Sequence, residues 1–482
     1  MRTLPPPLFE KSRPGKIGYS FPEIQFPGAD VAVESGSLRN GLPDEFPQLS
    51  EVEIVRHYTA LAHLNYSVDE GFYPLGSCTM KYNPKINEKI AAQETLNAHP
   101  YAPHELVQGN LEILHLLADY LIKITGFGGI SLNPGAGAHG EFTGMLVIRK
   151  YLEGKGDPRK MVLIPDSAHG TNPASAVFAG YETREIPSSN EGIIDVETLK
   201  RYLTPEVAAL MMTNPNTLGV FEKNIKKIAD LLHQNGSLLY MDGANLNALL
   251  GIVRPGDLGV DVLHMNLHKT FATPHGGGGP GSGPVAVAAH LVPYLPVPTI
   301  NLSNGTYTVE YDRKQSIGRV KNFYGQFLVI VRALAYIMSL GRDHLRRVTE
   351  DAVLNANYIR KKLADHLDLP YSSPTLHEVV FSDKNLKVKT LDIAKRLLDA
   401  GIHPFTIYFP LIVHGAMMIE PTETESKETI DQFIATMIRI IGEAETDPDL
   451  LRNAPTQTPV RRLDETLAAR KMMLKWRREE NA

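Results

Sequence analysis

Cysteine is nearly absent: Cys78 is the single thiol in 482 residues. No intrachain disulfide can form, so the core must hold by packing, which fits a reducing compartment. Long apolar runs are missing too. No stretch reaches the roughly 18 residues of a membrane span. The N-terminus, MRTLPPPLFEKSRPGKIG, lacks the apolar centre of a secretion signal. Neither sign of charge dominates: 49 Lys and Arg stand against 54 Asp and Glu, a net of −5. That balance gives no reason to expect nucleic acid or a membrane surface as partner. No G-x-G-x-x-G follows a strand pattern, so a dinucleotide fingerprint is not expected. These absences leave an ordinary globular, cytoplasmic enzyme, long enough for two structural domains. The 34 prolines and 39 glycines are scattered among apolar runs and imply defined loops.

One stretch, 237–283, organises the rest. The apolar run Leu238–Met241 ends in Asp242. A second run, Val260–Met265, leads to His268-Lys269-Thr270. A glycine-rich segment, 276–283, follows. An acid at one strand end, a lysine about 27 residues later and glycines beyond it suit a pyridoxal phosphate (PLP) site. Lys269 would form the Schiff base with the cofactor aldehyde. Asp242 would keep the pyridinium nitrogen protonated. His268 and Thr270 are within reach of a phosphate, and the glycines suit backbone that passes close to a ligand or a second subunit. No metal is expected.

In chain order, residues 1–48 are rich in Pro and Gly and read as an extended arm of the kind that wraps a partner subunit. A helix is expected from Ser50, with Ser50 and Glu53 as a capping box. The turn-rich segment 71–84 carries Ser77, Thr79, Lys81 and Asn83, and reads equally as the lining of a substrate entrance or as a structural loop. Apolar periodicity predicts a helix over 106–125, closed by Gly126. The small residues Ala136, Gly137 and Ala138 then lead into a helix expected over 141–150, a ready seat for an anion. A strand over 161–165 delivers His169, a candidate to stack on the cofactor ring. Another, over 207–212, delivers Thr213, Asn214 and Asn216, candidates to hydrogen-bond the ring hydroxyl or the substrate. A helix over 225–235 follows. Strand and helix alternate with polar clusters at successive strand ends, which implies an α/β fold with a mostly parallel sheet.

Residues 293–324 read as irregular. Their basic members Arg313, Arg319 and Lys321 could meet the substrate carboxylate or a partner protein. Helices over 326–340 and 343–367 lead into a smaller region, with a strand over 378–381 and a helix over 390–400. The expected divisions are an N-terminal arm and helical segment (1–95), a large cofactor-binding domain (96–325), a small C-terminal α+β domain (326–447) and a tail (448–482) with a basic helix near Trp476.

The runs GSCTMKYNP (76–84), NPGAGAHGE (133–141), DSAHGTNPAS (166–175), MTNPNTLGVFE (212–222), YMDGANLNALLG (240–251) and HMNLHKTFATPHGGGGPGSGP (264–284) resemble the glycine dehydrogenase (decarboxylating) family, the P-proteins of the glycine cleavage system. The resemblance spans about 50–470 and is to the lysine-bearing half of the split form. It implies the type I PLP, aspartate aminotransferase-like fold, with Lys269 as the Schiff-base residue. It further implies glycine as substrate, a homologous subunit 1 in a tetramer of two of each, and the lipoylated H-protein as acceptor of the aminomethyl group. Cys78 matches a cysteine of the family and reads as a buried inert thiol. Another type I amino-acid decarboxylase, a cysteine desulfurase and a non-catalytic scaffold subunit are the alternatives. The remoteness of Cys78 from Lys269 in sequence counts against the desulfurase.

Overall fold

The computed structural model describes residues 3–18, 46–276 and 281–474. Most of the expected arm (19–45), part of the glycine run (277–280) and the end of the tail (475–482) lie outside them. The described residues form two compact units. One takes them from Met1–Glu70 and Pro455–Ala482, the other is Gly71–Ala454. In the first, helix Glu51–Ala62 starts at Ser50, whose N–H and hydroxyl both reach the Glu53 carboxylate, at 2.9 and 2.8 Å. Two otherwise open groups at the helix start are thereby satisfied.

The larger unit is built on a seven-stranded sheet: β1 (Gly129–Ser131), β2 (Met161–Pro165), β3 (Glu182–Ile186), β4 (Val207–Thr213), β5 (Leu238–Gly243), β6 (Val262–Met265) and β7 (Val285–Val287), in the order β1-β7-β6-β5-β4-β2-β3. The pairs β2–β3, β2–β4, β4–β5 and β5–β6 are parallel, and β7 runs antiparallel to both its neighbours. Every residue of β4, β5 and β6 is buried. Helices cover both faces, so these strands read as continuous apolar runs and not as alternating ones. One core includes Leu210, Leu239 and Leu263, and another Ala209, Tyr240 and Val262. Each fully buried aliphatic side chain contributes roughly 1.5–3 kcal/mol, less the entropy of ordering it.

Two departures from the sequence reading have local causes. The stretch expected to be irregular contains a hairpin, β8 (Thr299–Ser303) with β9 (Thr306–Glu310). Its two-residue turn is Asn304-Gly305, with φ of 50° and 77°. An Asn-Gly pair satisfies a turn that needs positive φ twice, and was the available signal. The helices expected over 326–340 and 343–367 are one run, Phe327–Leu363, broken in backbone conformation at Gly341 (φ 62°).

A three-stranded antiparallel sheet follows, β10 (Val379–Ser382), β11 (Thr406–Ile407) and β12 (Ala416–Ile419), with β12 central. Helices Thr390–Asp399 and Lys427–Thr446 pack on it through Ile393, Leu397, Phe433 and Met437. No helix among the described residues is long and apolar enough to cross a membrane.

Candidate active site

Because β2, β4, β5 and β6 are parallel, their C-terminal ends share one edge of the sheet, where open α/β sheets bind ligands. Register sets Thr213, Asp242 and His264 side by side on β4, β5 and β6. Asp242 is wholly buried. Its Oδ2 lies 2.8 Å from His169 Nδ1 and accepts from Asn172 Nδ2 at 2.9 Å, and Thr213 Oγ1 is at 3.4 Å. Its Oδ1 accepts from the Ala244 N–H at 2.8 Å and faces His264 Nε2 at 3.2 Å. Burial pushes this carboxyl up. His264, His169 and Asn172 outweigh it and hold the group well below the usual carboxylate range. The acid beneath the site is therefore an anion across the physiological range. Tyr240 backs the row, its hydroxyl 2.9 Å from His264 Nδ1.

Lys269 sits in a one-turn helix, Leu267–Thr270, directly after β6. Its Nζ donates to the Ser77 carbonyl at 2.8 Å. Ser77 Oγ in turn meets His169 Nε2 in a short contact. Lys269, Ser77, His169 and Asp242 thus form one continuous polar chain. The 71–84 segment belongs to the site, and Ser77 is its link.

The helix beside the site starts earlier than expected, Gly137–Gly154, with Ala136 as its N-cap, and no side chain caps it. Ala136 and Ala138 are exposed, so the N–H end of this long helix faces outward next to the site. A Cβ on Gly137 would come within 2.4 Å of Asn266 Nδ2, and one on Gly283 within 2.0 Å of the Ala136 carbonyl. The Asn266 side chain therefore lies directly against Gly137, and the backbone of Gly283 against that of Ala136. Lys321 also borders this end: its Cε would lie 3.0 Å from a Cβ on Gly135. The two arginines considered with it are engaged elsewhere, Arg313 on the Val292 carbonyl and Arg319 over the Tyr311 ring. His268 lies 3.2 Å from Asn266 Nδ2, and burial, then His275 and Lys269, push it down to about 3, so it is neutral.

This donor set fits PLP. A buried ionised carboxylate, a lysine amine on the far side of His169, and an uncapped helix start with a second lysine match the ring nitrogen, aldehyde and phosphate in turn. Asn266 Oδ1 and Thr270 Oγ1 are buried without a hydrogen-bond partner among the described residues, as expected of groups that a bound molecule completes.

Of the expected residues, Lys269, Asp242, His169 and Thr213 converge on one chain, and Ala136, Gly137, Ala138 and His268 gather at the helix start. Asn216 does not join them, and Asn214 is half engaged: among the described residues its Nδ2 is buried without a hydrogen-bond partner, like Asn266 Oδ1 and Thr270 Oγ1. Asn214 Oδ1 accepts from Glu222 N–H, while Asn216 holds the backbone of residues 192, 218 and 220. They shape the loop after β4. Asn172 and His264 belong to the neighbourhood without having been assigned to it, while Ser77 and Lys321 were each expected only as one of several possible contributors.

A second polar group comes from the small sheet. Glu378 and Glu420 flank the paired strands β10 and β12, which brings the two acids together. Glu378 Oε2 accepts from the Ser77 N–H at 2.9 Å. Glu420 accepts from Thr79 N–H at 3.0 Å and Oγ1 at 2.5 Å. Lys81, buried, donates to Glu423 at 2.6 Å, Asn247 at 2.7 Å and the Thr270 carbonyl at 2.9 Å. Burial pushes Glu378 well above the usual carboxylate range, and Glu420 adds to this. His377 is buried, with neither ring nitrogen hydrogen-bonded among the described residues and Nε2 3.9 Å from Glu420 Oε1, and burial pushes it down to about 3.

Known proteins are similar to this chain in sequence and in fold. Residues 142–278 match the family model for aminotransferase class-V, and residues 348–455 that for glycine dehydrogenase, C-terminal domain. A relative from Bacillus licheniformis, described as "Probable glycine dehydrogenase (decarboxylating) subunit 2", is 56% identical over 476 residues, covering 97% of this chain and 98% of that one. One of the same description from Thermotoga petrophila is 55% identical, covering 98% and 99%.

The chain belongs to the glycine dehydrogenase (decarboxylating) subunit 2 family.

The crystal structure of a glycine decarboxylase (P-protein) of the glycine cleavage system, in inhibitor-bound form, is similar in fold, with a TM-score of 0.70 at 20% identity, covering 85% of this chain and 93% of that one. A cysteine desulfurase from Escherichia coli has a TM-score of 0.61 at 13% identity, covering 80% and 98%. Members of the subunit 2 family are PLP-dependent enzymes of the type I fold, and this chain is one of them.

Proposed function

We propose that this chain is the lysine-bearing half of a split glycine dehydrogenase, decarboxylating glycine and passing the aminomethyl group to the lipoyl arm of the H-protein. The observation that carries the reading is the continuous chain from Lys269 through Ser77 and His169 to Asp242. It supplies an amine and a buried anion to one ligand. Lys269 would hold the cofactor and release it to the substrate amine. Asp242 would keep a proton on the ring nitrogen, and His169, tied at both nitrogens, would lie against the ring. The helix start at 136–138, with Lys321 and His268 beside it, would seat the phosphate. Bound there, PLP supplies an electron-accepting ring.

The reaction balances as follows. The bond between the glycine carbons breaks and carbon dioxide leaves. The remaining carbon bonds to one sulfur of the lipoyl disulfide, and the other sulfur leaves as a thiol with a proton. Glycine is oxidised and the disulfide reduced, so no nicotinamide is needed. A homologous subunit 1, two of each subunit in the tetramer, completes the assembly.

The desulfurase alternative needs a different argument from the one sequence distance offers. Ser77 touches Lys269, so Cys78 is near the amine after all. Burial pushes its thiol up, Lys269 pulls it back only in part, and Glu420 and Glu378 add to the rise. A thiol held protonated is a poor nucleophile, and that disfavours the desulfurase.

Glycine–bicarbonate carbon exchange tests the proposal. Exchange is expected with this chain, subunit 1 and lipoylated H-protein together, and not without the lipoyl protein. Turnover of another amino acid with no glycine exchange in any combination would overturn it.

A further inference from the structure

The small sheet reaches the reactive lysine through a single residue, Ser77. Ser77 has φ of 64° and Thr79 φ of 46°. Left-handed backbone at residues with a Cβ persists only when the surroundings hold it. At Ser77 all three polar groups are held: the N–H by Glu378, the carbonyl by Lys269 and the hydroxyl by His169. At Thr79 both N–H and hydroxyl go to Glu420. Glu378 itself is wholly buried, and its second oxygen, Oε1, has no hydrogen-bond partner among the described residues. A buried acid half satisfied in this way is an expensive means of binding one N–H, and an apolar core position would be the bland solution.

We propose that Glu378 is a positioning residue for Lys269, acting through Ser77. By fixing the Ser77 N–H it aims the opposite end of that residue, the carbonyl, at the Lys269 amine, and the hydroxyl at His169. Glu420 holds the next alternate residue of the loop and keeps Ser77 from relaxing. The inference rests on Lys269 being the reactive amine, as in the function proposed above. It requires nothing of glycine, subunit 1 or the H-protein.

The test uses the full, cofactor-free chain and an amine-acylating reagent. Modification of Lys269 is followed by peptide mass spectrometry, relative to the exposed Lys123. Glu378→Gln keeps an acceptor for Ser77 and is expected to leave the Lys269 rate within about twofold of the parent. Glu378→Met keeps the length and removes the acceptor. It frees the amine from the carbonyl and is expected to speed Lys269 modification threefold or more, the scale of one lost hydrogen bond. Equal rates in the Met variant and the parent overturn the proposal, as does the same change in Gln and Met. Should the Met variant fail to fold, Glu378→Asp decides by the same criteria, since its carboxylate falls one methylene short of Ser77. A chain that meets these expectations yet exchanges no glycine carbon keeps the positioning role and loses the glycine reading, so the two failures are distinguishable.

Discussion

The polar group at the rim of the large sheet and the one at the ends of the small sheet meet at Ser77, and they are built on opposite principles. Asp242 is buried and charged, with both oxygens engaged by several donors. Glu378 and His377 are as deeply buried, but have atoms with no hydrogen bond among the described residues and shift toward their neutral forms. A buried charge survives only when its hydrogen bonds are complete, and otherwise the group gives up the charge. The first arrangement stores an anion for a ligand to use. The second grips a loop with neutral or half-satisfied acids.

The largest effect should come from the rim. Lys269→Ala is expected to abolish glycine–bicarbonate exchange and the visible absorbance of bound PLP. An absorbance band that borohydride still removes in that variant would show that another amine holds the cofactor. Asp242→Asn should keep cofactor binding but lower exchange by about 100-fold or more, because a neutral amide no longer holds the ring proton. Near-normal exchange would remove Asp242 from its role and erase the contrast with Glu378.

Acid titration sharpens the comparison from the other side. His377 is neutral in the folded chain, with its pKa pushed down to about 3. The unfolded chain takes up a proton below the ordinary histidine value. The stability tied to this group is therefore present above about pH 6.5 and lost as pH falls toward 3. His377→Gln should relieve this by about 3 kcal/mol at pH 4 in denaturant titrations. Glu378 has the opposite sign. Its raised pKa means stability present below about pH 4.5 and lost as pH rises. Glu378→Gln should therefore gain relative to the parent between pH 5 and 8. A flat difference over that span would mean Glu378 is charged in the fold. The smallest effect is expected at Cys78, where Cys78→Ser should leave exchange within about twofold of the parent. A large loss would reopen a chemical role for the thiol.

Much of the rim could be read along the chain. Asp242, His169 and Lys269 each follow an apolar strand, and parallel strands end at one edge, so local pattern and chain direction were enough to gather them. Asn216 satisfies the same local pattern, yet both ends of its side-chain amide are taken up by the loop after β4. Nothing local distinguishes an asparagine that faces a ligand from one that closes its own turn. The clamp was hidden for another reason. Ser77 is 301 residues from Glu378, and Thr79 341 residues from Glu420. Each acid follows or precedes a short apolar strand in an unremarked way, and only the pairing of β10 with β12 sets them side by side.

The sequence by itself determined the alternation of strands and helices, the edge at which a ligand binds and the lysine that would hold it, because these follow from periodicity and order along the chain. Tertiary structure alone decided that Lys269 faces Ser77, that its partners hold the Asp242 carboxyl low while burial pushes Glu378 up, and that Lys321 borders the helix start. These depend on burial and on partners hundreds of residues away, and neither is a local property of the chain.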